Sequence, residues 1–134
     1  MKKIAQTIGI ALITLAAFSG CTKSTSSTDY AAAFAGAWTG SNTCGGTSTF
    51  TLTEVNSTTL TSSGTVGGTG CTKTITINHT ASGNGIVIPS QTFTDNCGNS
   101  YTISGAGSIS GSTLTYTESV TGAVTATCVF TGTK

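Results

Sequence analysis

From Trp38 to the end of the chain, threonine alternates with larger side chains in one short run after another. Side chains of an extended strand point alternately to opposite faces, so a period of two predicts strands with one apolar and one polar face. Glycine- and asparagine-rich turn signals interrupt the runs roughly every ten residues, and no helical period accompanies them. The pattern predicts an all-β domain in which neighbouring strands pair antiparallel.

The turn signals divide the domain into eight strands, preceded by one short helical turn in the segment YAAAFAGAW. The predicted strands are 37–44, 48–55, 58–66, 71–80, 85–95, 100–108, 113–120 and 124–132. Eight short-looped strands with one apolar face favour closure into an antiparallel meander barrel, because a closed barrel has no exposed sheet edge. A two-sheet β-sandwich is the alternative.

The charged residues limit the partners of the chain. Its five basic side chains are all lysines, and only four acids accompany them. So few cations cannot neutralise many phosphates, which argues against nucleic-acid binding. The chain also lacks a basic cluster that would hold it electrostatically on an anionic membrane.

The first twenty residues predict an export signal. Met1-Lys2-Lys3 is followed by an apolar run from Ile4 to Phe18, and such a run of about 15 residues is too short for a transmembrane helix. The sequence Phe18-Ser19-Gly20-Cys21 resembles the bacterial lipobox, in which a cysteine is acylated after cleavage of the signal peptide. The alternative is an ordinary signal peptide that happens to end near a cysteine.

The resemblance to bacterial lipoproteins implies that Cys21 anchors the mature chain in a membrane through its acyl chains. The Ser/Thr-rich residues 21–33 then form a flexible tether, and residues 34–134 form the barrel domain. Thr22 is not the aspartate that retains many lipoproteins in the inner membrane. The expected location is therefore the bacterial outer membrane, with the domain facing the periplasm or the cell surface.

Four cysteines remain after Cys21, which in an exported domain predicts two disulfides. The turn centred near Asn84 places Cys71 opposite Cys97 on neighbouring strands, although a bulge at Pro89 would shift this register by one residue. Cys44 and Cys128 would then join the first strand to the last. The cysteines are too widely spaced for a zinc site, so neither a metal nor a cofactor is expected.

The motif GAWTG (Gly36 to Gly40), the eight-strand rhythm and the ending GSTLTYTESVTGAVTATCVFTGTK resemble lipocalin-like small lipoproteins of Bacteroidota. The resemblance implies a barrel with Trp38 at its closed end and a ligand pocket at its open end. The chain departs from true lipocalins because it has no arginine near its last strand.

Alternation assigns the side chains that would form such a pocket. Lys73, Asp95 and Glu118 fall near the predicted open mouth, and apolar and aromatic residues lie below it. The predicted ligand-binding residues are Phe50, Lys73, Ile75, Phe93, Tyr101, Tyr116 and Glu118. The alternative is a packed interior with solvated strand ends.

No enzyme chemistry is evident in the sequence. His79 and Glu54 fall near the other end of the barrel, without an activated serine or a free cysteine, and His79 is expected at the surface or in a cap.

The threonine faces offer a weakly charged surface for adhesion and, less plausibly, for ice binding. The sequence thus predicts a monomeric, non-enzymatic envelope lipoprotein that binds a small apolar ligand, or else a structural or interaction protein without a pocket.

Overall fold

The computed structural model describes residues 27–134. A short helix, α1 (Ala31–Phe34), precedes eight strands: β1 (Gly36–Asn42), β2 (Gly46–Asn56), β3 (Thr59–Val66), β4 (Lys73–Ser82), β5 (Gly85–Thr94), β6 (Ser100–Ser110), β7 (Thr113–Gly122) and β8 (Ala126–Thr133). The predicted signal peptide, the predicted lipidation site Cys21 and residues 22–26 of the predicted tether lie outside the described residues.

The strands form a closed antiparallel barrel in meander order. Each strand pairs with the next, and β1 pairs with β8 from Thr39↔Thr133 to Asn42↔Phe130. The prediction of an eight-stranded meander barrel is confirmed, and the β-sandwich alternative was wrong. Each predicted strand end lies within two residues of the observed one, because turn glycines and asparagines mark these ends in the sequence.

The alternation of residue types along each strand separates the interior of the barrel from its surface. In β4, the side chains of Ile75, Ile77, His79 and Ala81 are buried, whereas the intervening residues are exposed. Threonine occupies many of the outward positions, where its branched carbon suits a strand and its hydroxyl is hydrated. The apolar side of the sequence pattern therefore becomes the core.

Helix α1 covers one end of the barrel. Ala31 and Phe34 are fully buried, and the Trp38 indole donates a hydrogen bond to Phe34 O at 2.7 Å. The Lys134 ammonium donates to Ala33 O and Ala35 O and lies 4.9 Å from the centre of the Trp38 ring. The packed domain thus begins before the predicted boundary at residue 34, since the last residues of the predicted tether belong to this closed end.

A bulge interrupts β5 next to Pro89, as the sequence suggested. The β5–β6 register shifts between Ile88 and Gln91, and β4 pairs with β5 only from Thr80↔Val87 to Ser82↔Gly85. Beyond this point the Gln91 carboxamide accepts from Asn78 N at 3.0 Å and donates to Asn78 O at 2.9 Å. A side chain thus replaces backbone pairing where proline cannot donate.

Both predicted disulfides are confirmed, Cys44–Cys128 and Cys71–Cys97. They connect strand pairs with few backbone partners: β1 and β8 share four Cα pairs, and β4 and β5 share three. Each disulfide lies at the end of the barrel opposite α1. The covalent bonds therefore reinforce two of the three short ladders of the barrel, and the third, between β2 and β3, has no disulfide.

Candidate functional site

The barrel encloses a cavity of about 700 Å³ between the core and the end opposite α1. Its apolar wall comes mainly from Phe50, Ile75, Ile77, Ile103, Val120 and Phe130. The loops after β3 and β5 and the loop between β7 and β8 surround its mouth, with Gly67, Asn99 and Val124 among them. A cavity of this size falls in the range of about 300–1,000 Å³ that holds small organic ligands.

Five of the seven predicted ligand-binding residues line this cavity: Phe50, Ile75, Tyr101, Tyr116 and Glu118. The other two do not. Lys73 is the first residue of β4, paired with Val66 of β3, and its side chain is exposed. Phe93 is half-buried against the core and does not line the cavity, although it is paired with Tyr101 of β6.

Asp95 was predicted near the mouth, and it organises the β5–β6 loop. Its carboxylate accepts hydrogen bonds from the backbone N–H groups of Cys97 and Asn99, both at 2.9 Å, and from the hydroxyl of Tyr101 at 3.0 Å. The hydrogen bond from the Asn99 side chain is the largest cause of the lowered Asp95 pKa. Since its hydroxyl is bonded to Asp95, Tyr101 presents mainly its ring to the cavity.

His79 lies in the cavity wall, and its predicted position at the surface or in a cap was wrong. Its side chain is only 2% exposed, and its Nε2 is 2.8 Å from Ser62 Oγ. Burial lowers the pKa of His79 to about 4, so the imidazole is neutral at pH 7. Among the described residues, nothing forms a hydrogen bond with His79 Nδ1.

Tyr116 contributes a second buried polar atom. Its hydroxyl has no hydrogen-bond partner in the described part of the chain, and its ring centre is 6.1 Å from that of His79. Burial, followed by the negative charge of Glu118, raises the pKa of Tyr116. The ring packs across β6 at Gly107, where an added Cβ would lie 2.9 Å from Tyr116 Cδ2.

Glu118 lies one inward position closer to the mouth than Tyr116 and is half-buried. Burial raises the pKa of its carboxyl group. The structure describes two lysines, and neither lines the cavity: Lys73 is exposed, and Lys134 is bonded to carbonyls of the closed end. The only charged side chain on the described cavity wall is therefore an acid.

The cavity also opens through the side of the barrel, between β2 and β3. These strands pair only near the closed end, from Thr53↔Thr61 to Asn56↔Thr59. Above this point, five consecutive β3 residues (62–66) and three consecutive β2 residues (48–50) line the cavity. A closed wall would present alternate residues only, so both faces of these strands border a lateral opening.

The position of His79 in the sequence indicated a buried side chain, although its polarity favoured the surface. His79 follows Ile75 and Ile77 at a spacing of two, so alternation places all three side chains on one face of the strand. A polar residue that continues the alternation of buried residues along a strand is a candidate for a position in the interior. Ser62 had no comparable signal, because its contact with His79 depends on the pairing of β3 with β4.

Comparisons of this chain with protein-family models, with curated proteins and with solved structures found no match. In the described region no helix is long and apolar enough to cross a membrane, and no three His, Cys, Asp or Glu side chains are grouped as metal ligands. The function must therefore be argued from the geometry of the cavity.

Proposed function

We propose that this protein is a lipid-anchored, non-enzymatic envelope lipoprotein whose barrel binds a small, largely apolar ligand. The observation that carries the proposal is the cavity of about 700 Å³ lined by Phe50, Ile75, Tyr101 and Tyr116. A structural barrel of this size would gain stability by filling its interior, because each missing methylene contact weakens the core. Retained interior space with an open mouth supports binding over a purely structural role.

The residues of the cavity support binding without catalysis. His79 is the side chain that would serve as a general base, and its hydrogen-bonded neighbour is Ser62. Within residues 27–134, no hydrogen bond joins the Glu118 carboxyl group to His79. The Asp95 carboxylate accepts hydrogen bonds from Asn99 of its own loop. An oriented nucleophile, base and carboxylate are therefore not assembled at this site.

The test of ligand binding is native mass spectrometry on the full chain carrying Cys21→Ser, exported and purified from its host's envelope without detergent. A discrete adduct that is lost on denaturation supports a binding function. Addition of the neutral apolar dye N-phenyl-1-naphthylamine should also give saturable fluorescence at one dye per barrel. Failure to bind both the dye and any envelope lipid extract would refute the proposal.

Two matched variants locate the binding. Val120 lines the cavity, whereas Val87 on β5 points outward and is 48% exposed. Val120→Trp should occupy cavity space and abolish dye binding, while Val87→Trp should bind dye as the parent does. Equal dye binding by both variants would place the dye outside the barrel.

The lipid anchor has its own test, since Cys21 lies outside the described residues. The parent chain should fractionate with membranes and incorporate a labelled fatty acid. Cys21→Ser should remove the label and release the chain into the soluble fraction. Incorporation of the labelled fatty acid by the Cys21→Ser chain would contradict acyl anchoring at this residue.

A further inference from the structure

The deepest polar groups of the cavity constrain the chemistry of its ligand. His79 Nδ1 and the Tyr116 hydroxyl are buried in the cavity wall and lack hydrogen-bond partners among the described groups. A buried polar atom without a partner loses its hydration without compensation. Two such atoms on rings 6.1 Å apart indicate that a bound molecule brings a polar group to this place.

We propose that the ligand is an uncharged amphiphile with a hydroxyl group that hydrogen bonds to Tyr116 and His79, and that its hydrocarbon part lies against the apolar wall. This inference rests on the proposed function. A hydroxyl accepts a hydrogen bond from the Tyr116 phenol. It also suits either histidine tautomer, because it can accept from Nδ1–H or donate to a bare Nδ1.

The charges around the cavity argue against an anionic head group. Lys73 and Lys134, the lysines of the described part of the chain, are both outside the cavity wall. His79 is uncharged at neutral pH. A carboxylate or phosphate would therefore enter a poorly hydrated site without a cation and beside the acidic Glu118, which is unfavourable.

A cationic head group would have one charged partner, Glu118, yet it would not provide an acceptor for the Tyr116 hydroxyl. An ammonium has donors only, so it could not accept the hydrogen bond that the Tyr116 phenol offers. Glu118 also lies one inward position nearer the mouth than Tyr116. An alkylamine bound at Glu118 would leave the phenol without an acceptor.

The test compares four eight-carbon probes as competitors of the dye at pH 7, with the full-length Cys21→Ser chain. These probes are 1-octanol, octane, octanoate and octylamine. We expect 1-octanol to bind at least about tenfold more tightly than either charged probe. Tightest binding of octanoate would overturn the proposal, as would tightest binding of octylamine that is lost in Glu118→Gln.

Variants separate the head-group contact from general effects on the barrel. Tyr116→Phe removes one oxygen atom, and it should lower the affinity for 1-octanol about threefold to tenfold without weakening the binding of octane. His79→Gln tests the second contact in the same way. Tyr30→Phe is the matched control, because Tyr30 lies at the start of α1 at the closed end and does not line the cavity, and it should leave the ratio of octanol to octane affinity unchanged.

The outcomes distinguish the two proposals. Dye binding with no preference for 1-octanol over octane, or an equal effect of Tyr116→Phe on both probes, would overturn the hydroxyl contact and leave apolar binding in place. Absence of dye binding to a folded parent chain would overturn both proposals.

Discussion

His79 shows how a single buried residue couples stability to pH. Its pKa falls to about 4 in the folded protein, from an ordinary value of 6.5. The unfolded chain therefore binds a proton more readily than the folded one between these values. By linkage, stability is highest above pH 6.5 and falls as the pH decreases toward 4.

We expect the parent chain to lose roughly 3 kcal/mol of His79-linked stability between pH 7 and pH 4. Two other groups contribute as well. The pKa of Glu118 is raised in the folded protein, so its protonation stabilises the fold as the pH falls. The pKa of Asp95 is lowered, so its protonation destabilises the fold, in more acid solution. His79→Gln keeps a polar side chain but cannot titrate. The difference between parent and variant in denaturant unfolding at each pH isolates the histidine, and parallel curves would contradict the prediction.

Gly107 positions Tyr116 by leaving space for its ring. In Gly107→Ala the new Cβ would lie 2.6 Å from Thr115 O and 2.9 Å from Tyr116 Cδ2, so the ring or the strand must move. We expect a loss of about 1–3 kcal/mol in unfolding free energy together with weaker ligand binding. Gly45→Ala is the control, because its Cβ meets no atom within 4 Å, and it should leave both quantities unchanged.

At the scale of elements, β5 shows how a side chain repairs an interrupted ladder. Pro89 and the adjacent bulge end regular pairing with β4, and the Gln91 carboxamide then bonds to both backbone groups of Asn78. The same side chain also accepts from Asn78 Nδ2 at 3.0 Å. Gln91 thus holds β4 and β5 together between their short ladder and the Cys71–Cys97 disulfide.

Gln91→Ala should therefore lower the unfolding free energy by about 1–2 kcal/mol, since it removes these bonds at a partly exposed site. It should also increase amide hydrogen exchange at Asn78. The neighbouring Thr92→Ala removes only an exposed contact with Thr102 and should change stability by less than about 0.5 kcal/mol. Equal effects of the two substitutions would show that Gln91 does not bridge the strands.

Sequence patterns predicted the elements well because local chemistry determines them. Turn glycines ended the strands, alternation assigned their faces, and the position of Asn84 paired Cys71 with Cys97. The carboxamide bridge at Gln91 and the short β2–β3 ladder depend on contacts between distant segments. The cavity depends on how all inward side chains fill the barrel, so Phe93 was expected to line it and His79 was not.

For the whole molecule, the two disulfides close loops of different length. Cys44 and Cys128 are separated by 84 residues and join the ends of the barrel sheet, whereas Cys71 and Cys97 are separated by 26. In the chain-entropy account a longer loop restricts the unfolded chain more. The bond between β1 and β8 should therefore be the more stabilising one.

The double variant Cys44→Ser/Cys128→Ser should lose about 1 kcal/mol more unfolding free energy than Cys71→Ser/Cys97→Ser. Guanidinium unfolding of the two variants and the parent measures the difference directly. The short four-pair ladder between β1 and β8 would add to the effect. A larger loss in the Cys71→Ser/Cys97→Ser variant would contradict this ranking.

The short pairing of β2 with β3 has a consequence for kinetics. A molecule held by a barrel with one mouth must leave along the barrel axis, and the loops at the mouth then set its residence time. Here the wall itself is open beside Phe50 and Gly64. The ligand that we propose would therefore have a second route, with its hydrocarbon part leaving between two strands, and its release would not wait for the disulfide-linked rim to move.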